Sequence, residues 1–307
     1  MIKIYKNSVQ QPKLKKLKDF QPTCWASVVS PNDKEIELLS NKLGLPVDVI
    51  EDSLDDYELS RVKVQNDNII IILRVVEQKD GNYFTSPFTI IINKQYTVTV
   101  ATKNLSFLNE FSKQTTKIST TQQSNFFIKL SLKIIERYQS YITTINRDVQ
   151  SAKSEIRHIA QSDIVNLIET EEILNDFIAS LTPTINTIKK ILNYSYIDLY
   201  SSDKELIDDL LVDGEQVKEL CITNLKTIRN IRDGYTTILT INLNQVIKIL
   251  TYITVFFTIP MIVASIYGMN IRLPYEDSPY ALLIISIATV VLSLAAVAFF
   301  VAMRKKL

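Results

Sequence analysis

Four side chains bearing an amide or hydroxyl fall seven residues apart toward the C-terminal end of this chain: Asn244, Thr251, Thr258 and Ser265. A second set, Ile247, Thr254, Met261 and Gly268, occupies the other heptad position between them. On a helix both sets share one face, and the stripe continues upstream through Thr240, Thr237, Asp233 and Asn230. Side-chain oxygens arranged this way can hydrogen-bond the first-shell waters of a hydrated cation. A bare divalent ion would be poorly compensated, because no carboxylate lies in the apolar part of the stripe. Two readings stay open: small polar side chains pack helix against helix in lipid, or several copies of the helix surround water. The second requires an oligomer, since one hairpin encloses nothing.

The elements that must position this stripe are two apolar runs. Residues 249–267 and 280–303 contain no charged side chain, and each can cross a hydrocarbon core about 30 Å thick. A pair of buried core helices is disfavoured, because nothing else in the chain is apolar enough to surround them. The short connection 268–279 makes the pair a hairpin with both ends on one side. Lys248 precedes the first run and Arg304, Lys305 and Lys306 follow the second, which predicts that this side is cytoplasmic. The connection, with Arg272 against Glu276 and Asp277, is then external.

The rest of the chain is charged. Positions 1–248 hold 30 Lys/Arg and 31 Asp/Glu. The net charge of +1 is far from the basic excess that nucleic-acid binding needs. Residues 1–114 read as a small α/β domain. Strands are expected at Cys24–Val29, Asn68–Val76, Phe84–Ile92 and Tyr96–Ala101, covered by helices on one or both faces. Ser30 is expected to cap a helix that carries Pro31 and Asp33 in its first turn and ends at Gly44, with Pro46 opening a short second one. Lys79–Asn82 is a turn. The polar stretch 114–124 marks a boundary, and residues 115–248 read as a long-helix stalk. A break is expected near residues 158–162, Asp163 as a cap, Pro183 as a kink and residues 194–202 as a loop. From Asp203 a helix of about 60 residues, roughly 90 Å long, can run into the apolar tail. It must tolerate Gly214 and Gly234 at a cost of about 1 kcal/mol each. Residues 249–307 form the membrane hairpin.

Other chemistries find little support. His158 is the single histidine and reads as a surface residue. Cys24 and Cys221 have no metal-ligand spacing and are expected as reduced cytosolic thiols. The N-terminal segment has basic residues but no apolar run after them, so it does not read as a signal peptide. There is no phosphate-cradling glycine loop and no nucleophile elbow. An enzyme is therefore not expected.

The first apolar run ends Ala264-Ser265-Ile266-Tyr267-Gly268-Met269-Asn270. This resembles the signature of the CorA family of Mg²⁺ transporters, in which Gly-Met-Asn closes the first of two C-terminal spans. The context adds specificity: a short acidic connection follows, then a second span ending in basic residues. Glu51–Asp56 and the strand after it resemble the family's α/β domain less sharply. The resemblance implies a cytosolic α/β domain, a long helical stalk and two C-terminal transmembrane helices. It further implies a funnel-shaped homopentamer in the cytoplasmic membrane, with both termini cytosolic, gated by cytosolic Mg²⁺. Mg²⁺ would be both cargo and regulatory ligand.

Carried onto this sequence, Gly268, Met269 and Asn270 would form the selectivity element, with Asn270 as an outer ring holding the hydrated ion. Gly268 would let the backbone turn. Asn244 would sit at the cytosolic mouth, and Ile247, Leu250 and Met261 would be apolar constrictions. Thr251, Thr254, Thr258 and Ser265 would line the lumen, and Glu276 and Asp277 would concentrate cations at the entrance. Arg272 departs from what a cation entrance needs unless it pairs with those acids. The regulatory acids implied are Asp209 and Asp233, with Asp208 and Asp213 nearby, facing Asp80 or Glu77 of the α/β domain. Against this stands an ordinary solvated acidic face, with Asp80 as a turn residue. Two alternatives remain. Zn²⁺, Co²⁺ or Ni²⁺ could be cargo of the same architecture, the oxygen lining favouring Mg²⁺. A membrane-tethered scaffold or sensor would explain the hairpin but neither the stripe nor the Gly-Met-Asn ending.

Overall fold

A computed structural model describes residues 1–8, 13–113, 118–156, 160–193, 196–197, 199–200, 203–269 and 279–304. It divides into two units, Met1–Arg232 and Asp233–Leu307.

The first unit is built on a seven-stranded sheet. In chain order the strands are β1 (Ile2–Lys6), β2 (Lys15–Leu17), β3 (Cys24–Val29), β4 (Arg61–Gln65), β5 (Asn68–Lys79), β6 (Asn82–Ile92) and β7 (Tyr96–Ala101). Their spatial order is β2-β1-β3-β7-β6-β5-β4. Only β3 and β7 run parallel, and the remaining pairs are antiparallel. Both sheet faces are covered, which is why β5 reads as a continuous apolar run rather than an alternation. Ile70 and Ile72 face one core, with α1 (Asp33–Leu43) and α2 (Val47–Asp52). Ile71, Leu73 and Val75 face the other, with α3 (Ser106–Ser112), α4 (Gln123–Ser154) and α5 (Gln161–Asn193).

Local chemistry sets the element ends. The β5–β6 hairpin turns on Asp80 (φ 53°) and Gly81 (φ 86°), the left-handed pair that a tight two-residue hairpin requires. Asn66 and Asp67 do the same between β4 and β5 (φ 51° and 60°). Helix α1 is capped by Asn32, not by Ser30. Asn32 accepts from the Glu35 N–H while the Glu35 carboxylate accepts from the Asn32 N–H, a reciprocal pair that the Ser30 hydroxyl, donating to the Thr102 carbonyl, does not offer. Pro31 therefore precedes the helix. Gly44 closes α1 at φ 64°, as expected, and Pro46 opens α2. Asp163 is not the cap of α5. It lies inside the first turn, and its carboxylate accepts from the Ala160 N–H at 2.9 Å.

Helix α6 (Lys204–Tyr267) is one continuous 64-residue element. Asp203 starts it, buried and accepting from Ser124 Oγ and Asn125 Nδ2 of α4 at 3.1 and 2.9 Å. Gly214 has a packing reason: a Cβ there would meet Ile185 Cγ1 of α5 at 3.2 Å. Pro183 lies within α5, which runs through it unbroken. Further along, Glu171 of α5 accepts from Arg229 and Arg232 of α6 at 3.2 and 3.1 Å.

The second unit holds the remainder of α6 and α7 (Ala281–Arg304). Each contains an 18-residue window of high mean hydropathy, 2.1 and 2.7, of which none and 11% is buried. A core helix of a water-soluble protein would be mostly covered, so these two helices fit a multi-pass membrane protein.

Candidate functional site

The stripe lies on α6 within the second unit. The half-buried residues of α6 there include Tyr252, Val255, Phe256, Ile259 and Val263. On α7 the covered residues are Ile285, Thr289, Ser293, Ala296 and Val297, with Ser293 at 0% exposure. Each set follows a helical spacing of three or four residues, so each marks one face. Among the described residues this unit holds only these two helices, and the two faces match a hairpin in which they pack on each other. At about 100° per residue, Thr254, Met261 and Ser265 fall roughly opposite the half-buried face of α6, with Thr258 about 60° to one side of that line. Thr251 lies at their flank. All are exposed, as are Asn244, Ile247 and Leu250.

The threonine hydroxyls of the stripe are hydrogen-bonded along their own helix. Thr251 Oγ1 donates to the Ile247 carbonyl at 2.8 Å, Thr254 to Leu250 at 2.8 Å and Thr258 to Thr254 at 2.7 Å. Pro260 lies inside the apolar part of α6. Having no N–H, it leaves the Phe256 carbonyl without its main-chain donor. Sequence reasoning passed over Pro260, although a proline in an uncharged run was a visible signal.

Just past the C-terminal end of α6, the Gly268 N–H donates to the Ala264 carbonyl at 2.9 Å and the Met269 N–H to Ile266 at 3.2 Å. Gly268 is not among the glycines of positive φ, so it does not serve as a left-handed turn residue. Its lack of a side chain matters in another way: a Cβ would sit 3.3 Å from the Ala264 carbonyl oxygen. Asn270, Arg272, Glu276 and Asp277 lie outside the described residues, as do His158, Lys305 and Lys306.

The proposed regulatory acids sit on two units. Asp208 and Asp209 are exposed and Asp213 is half-buried on the first-unit part of α6, and Asp233, also exposed, opens the second unit. Asp80 is exposed at its hairpin turn. Among the described residues, no three His, Cys, Asp or Glu side chains of one chain could hold a metal ion together.

Glu77 is engaged elsewhere. Buried at 5% exposure, it accepts the Ser106 N–H at the start of α3 at 3.0 Å and pairs with Arg137 of α4 at 3.0 Å. Burial opposes the charge on Arg137, but the Glu77 hydrogen bond and charge outweigh it and hold the guanidinium above its ordinary pKa. Arg137 also lies 5.3 Å from the Tyr141 ring centroid. Sequence reasoning missed Arg137, whose partner is 60 residues away.

The architecture is an α/β domain, a long helical region and two apolar helices, with an oxygen-bearing stripe on the uncovered face of the first. The model of the CorA-like Mg²⁺ transporter protein family matches residues 20–306, and the chain belongs to that family. It is 25% identical over 283 residues to the cobalt/magnesium transport protein CorA of Methanocaldococcus jannaschii, covering 89% of this chain and 88% of that one. The fold is similar to the complete CorA magnesium transporter of the same organism, with a TM-score of 0.83 at 20% identity over 98% of this chain and 96% of the other. It is also similar to the ZntB cytoplasmic domain of Vibrio parahaemolyticus, with a TM-score of 0.64 at 12% identity over 76% and 96%. The chain is thus a divalent-cation transporter that moves Mg²⁺ across a membrane, and it is not an enzyme.

Proposed function

We propose that this chain assembles as a funnel-shaped homopentamer in the cytoplasmic membrane, both termini cytosolic, and conducts hydrated Mg²⁺ along an axis lined by α6. The observation that carries this reading is the position of Thr254, Met261 and Ser265, exposed and roughly opposite the half-buried face of α6, with Thr258 toward its flank. A stripe serving only to pack this hairpin would face α7. The buried hydroxyls of Thr289 and Ser293 on α7 do that instead.

In this arrangement Asn270 forms the outer ring and Gly268 and Met269 complete the selectivity element. Asn244 lies at the cytosolic mouth, and Ile247, Leu250 and Met261 narrow the path with apolar side chains. Glu276 and Asp277 draw cations to the entrance. Cytosolic Mg²⁺ held between subunits by Asp209 and Asp233, with Asp208, Asp213 and Asp80 contributing, keeps the channel closed by offsetting carboxylate repulsion. The M. jannaschii relative is named for both cobalt and magnesium, so Co²⁺ is the second cargo to test.

Mg²⁺ uptake into proteoliposomes by the unsubstituted protein and by Asn270→Ala tests the reading. The expected result is loss of at least about tenfold in uptake with assembly retained. Equal uptake would remove Asn270 from the outer ring.

A further inference from the structure

We propose that a lysine-lined cavity at the edge of the sheet binds a phosphate-bearing polyanion through Lys6, Lys13 and Lys15. The site lies wholly within the first unit, so it stands or falls apart from the pore reading.

The cavity has a volume of about 240 Å³. Lys6, Lys13 and Lys15 line it together with Asn7, Ser8 and Gln21, and among the described residues no carboxylate does. Strands β1 and β2 run antiparallel, with Lys6 directly opposite Lys15 and Ile4 opposite Leu17. Ile4 belongs to the core on the side of α1 and α2. Strand residues two apart share a face, so Lys6 and Lys15 lie on that side as well. Like charges directly opposite each other, with Cβ atoms about 4.5–5.5 Å apart, destabilise a strand pair. Lys16 is placed differently: it lies opposite Tyr5, which packs against the core on the other side.

Protection of the sheet edge accounts for part of this charge. β2 is the outermost strand, and lysines on an edge strand oppose pairing with another chain. That explains Lys15 and Lys16. It does not explain Lys6, which is half-buried on β1, a strand flanked by β2 and β3. An anion between Lys6 and Lys15 replaces their repulsion with attraction to a shared charge. The strand end that carries Lys6 is also held in place. The Asn7 N–H donates to Thr120 Oγ1 at 3.1 Å, the Thr120 N–H to Asn7 Oδ1 at 2.7 Å and the Thr120 hydroxyl to the Asn7 carbonyl at 2.9 Å. Asn7 Nδ2 donates to the Ile118 carbonyl. A backbone fixed in advance lowers the ordering cost of binding.

Three ammonium groups around one space call for several negative charges in a small volume. Linked phosphates supply them, whereas a carboxylate carries one. Lysine suits phosphate as a compact point charge. The cavity is smaller than the roughly 300–1,000 Å³ of sites that enclose a drug-sized ligand, and Lys13, Lys15 and Gln21 are exposed. It therefore takes the phosphate end of a molecule whose remainder stays outside. A soluble phosphate compound and a lipid headgroup share this chemistry.

Titration calorimetry of the full chain in detergent with inorganic pyrophosphate, in buffer free of divalent cations, tests the site. The unsubstituted protein should bind with a sub-millimolar Kd. Lys6→Gln and Lys15→Gln should each weaken binding by about tenfold or more. Lys6→Arg, which keeps the charge, and Lys16→Gln, on the other side of the sheet, should each stay within about threefold. Absence of binding at millimolar pyrophosphate would overturn the site. So would an equal loss in Lys16→Gln, which would show diffuse attraction to a basic strand. If Lys6→Gln does not fold, Lys15→Gln decides on the same criteria. Repeating the titration in nanodiscs separates the two sources of phosphate. Equal affinity in neutral and anionic lipid assigns a soluble compound, and a fall of about tenfold in anionic lipid alone assigns a headgroup.

Discussion

At the scale of single residues, the two thiols and one buried ion pair give direct expectations. Burial raises Cys24 above its usual pKa and pushes Cys221 up to about 12. Near neutral pH both are protonated and covered, and the thiolate is the reactive form. Native protein should label at neither cysteine with a thiol reagent at neutral pH, and denatured protein at both. Labelling of Cys221 in the folded state would contradict its packing. Glu77 and Arg137 form a pair whose acid side chain is 6% exposed. Removing the acid strands the guanidinium, and breaking a buried pair costs about 3–5 kcal/mol. Arg137 is a quarter exposed, which puts Glu77→Ala at the lower end, about 3 kcal/mol. Thermal unfolding in detergent measures it, and an unchanged midpoint would show the pair to be dispensable.

At the scale of elements, the crossing of α5 and α6 is the sensitive point. Gly214→Ala gains about 1 kcal/mol of helix propensity. The new Cβ, however, would lie 3.2 Å from Ile185 Cγ1 and 3.4 Å from Cδ1, and overpacking of this kind costs about 1–3 kcal/mol. The net expectation is a loss of about 1 kcal/mol. Adding Ile185→Val, which trims Cδ1, should recover part of it. Denaturation midpoints of the single and double variants check this, and a stabilised Gly214→Ala would show that the helices can separate without cost. Glu215 lies beside this crossing. Its carboxylate accepts from Lys189 of α5 and from Lys218 of α6, and these bonds hold its pKa below the usual value. The sign follows: the stabilisation is present above the ordinary glutamate pKa and is lost as pH falls through the lowered one.

At the scale of the whole molecule, the expectations concern assembly and regulation. Several copies of α6 must meet for its uncovered face to enclose water, so native mass measurement should return five chains, and a stable monomer in lipid would remove the pore. Asp209→Ala should assemble normally yet lose most of its inhibition by internal Mg²⁺, read as flux against internal Mg²⁺ concentration. Unchanged inhibition would leave Asp209 as an ordinary solvated acid, the role its exposure alone suggests.

Much of this protein was determined by the order of its residues. The two uncharged runs had to leave water because nothing in the chain could cover them, and the heptad of hydroxyls and amides fell on one helical face whatever the surroundings. The inner strands, Gly44 and the Asp80-Gly81 turn were legible for the same reason: their causes are local and periodic. Other features depend on partners far away in sequence. Glu77 and Arg137, Gly214 and Ile185, and Glu171 with Arg229 and Arg232 meet only when the helices pack on the sheet and on each other. Asn32 displaced Ser30 as the cap because Glu35 completes a reciprocal pair with it. Which side of α6 stays uncovered was likewise decided by α7, since a helical stripe has no inside or outside until a second helix takes one face.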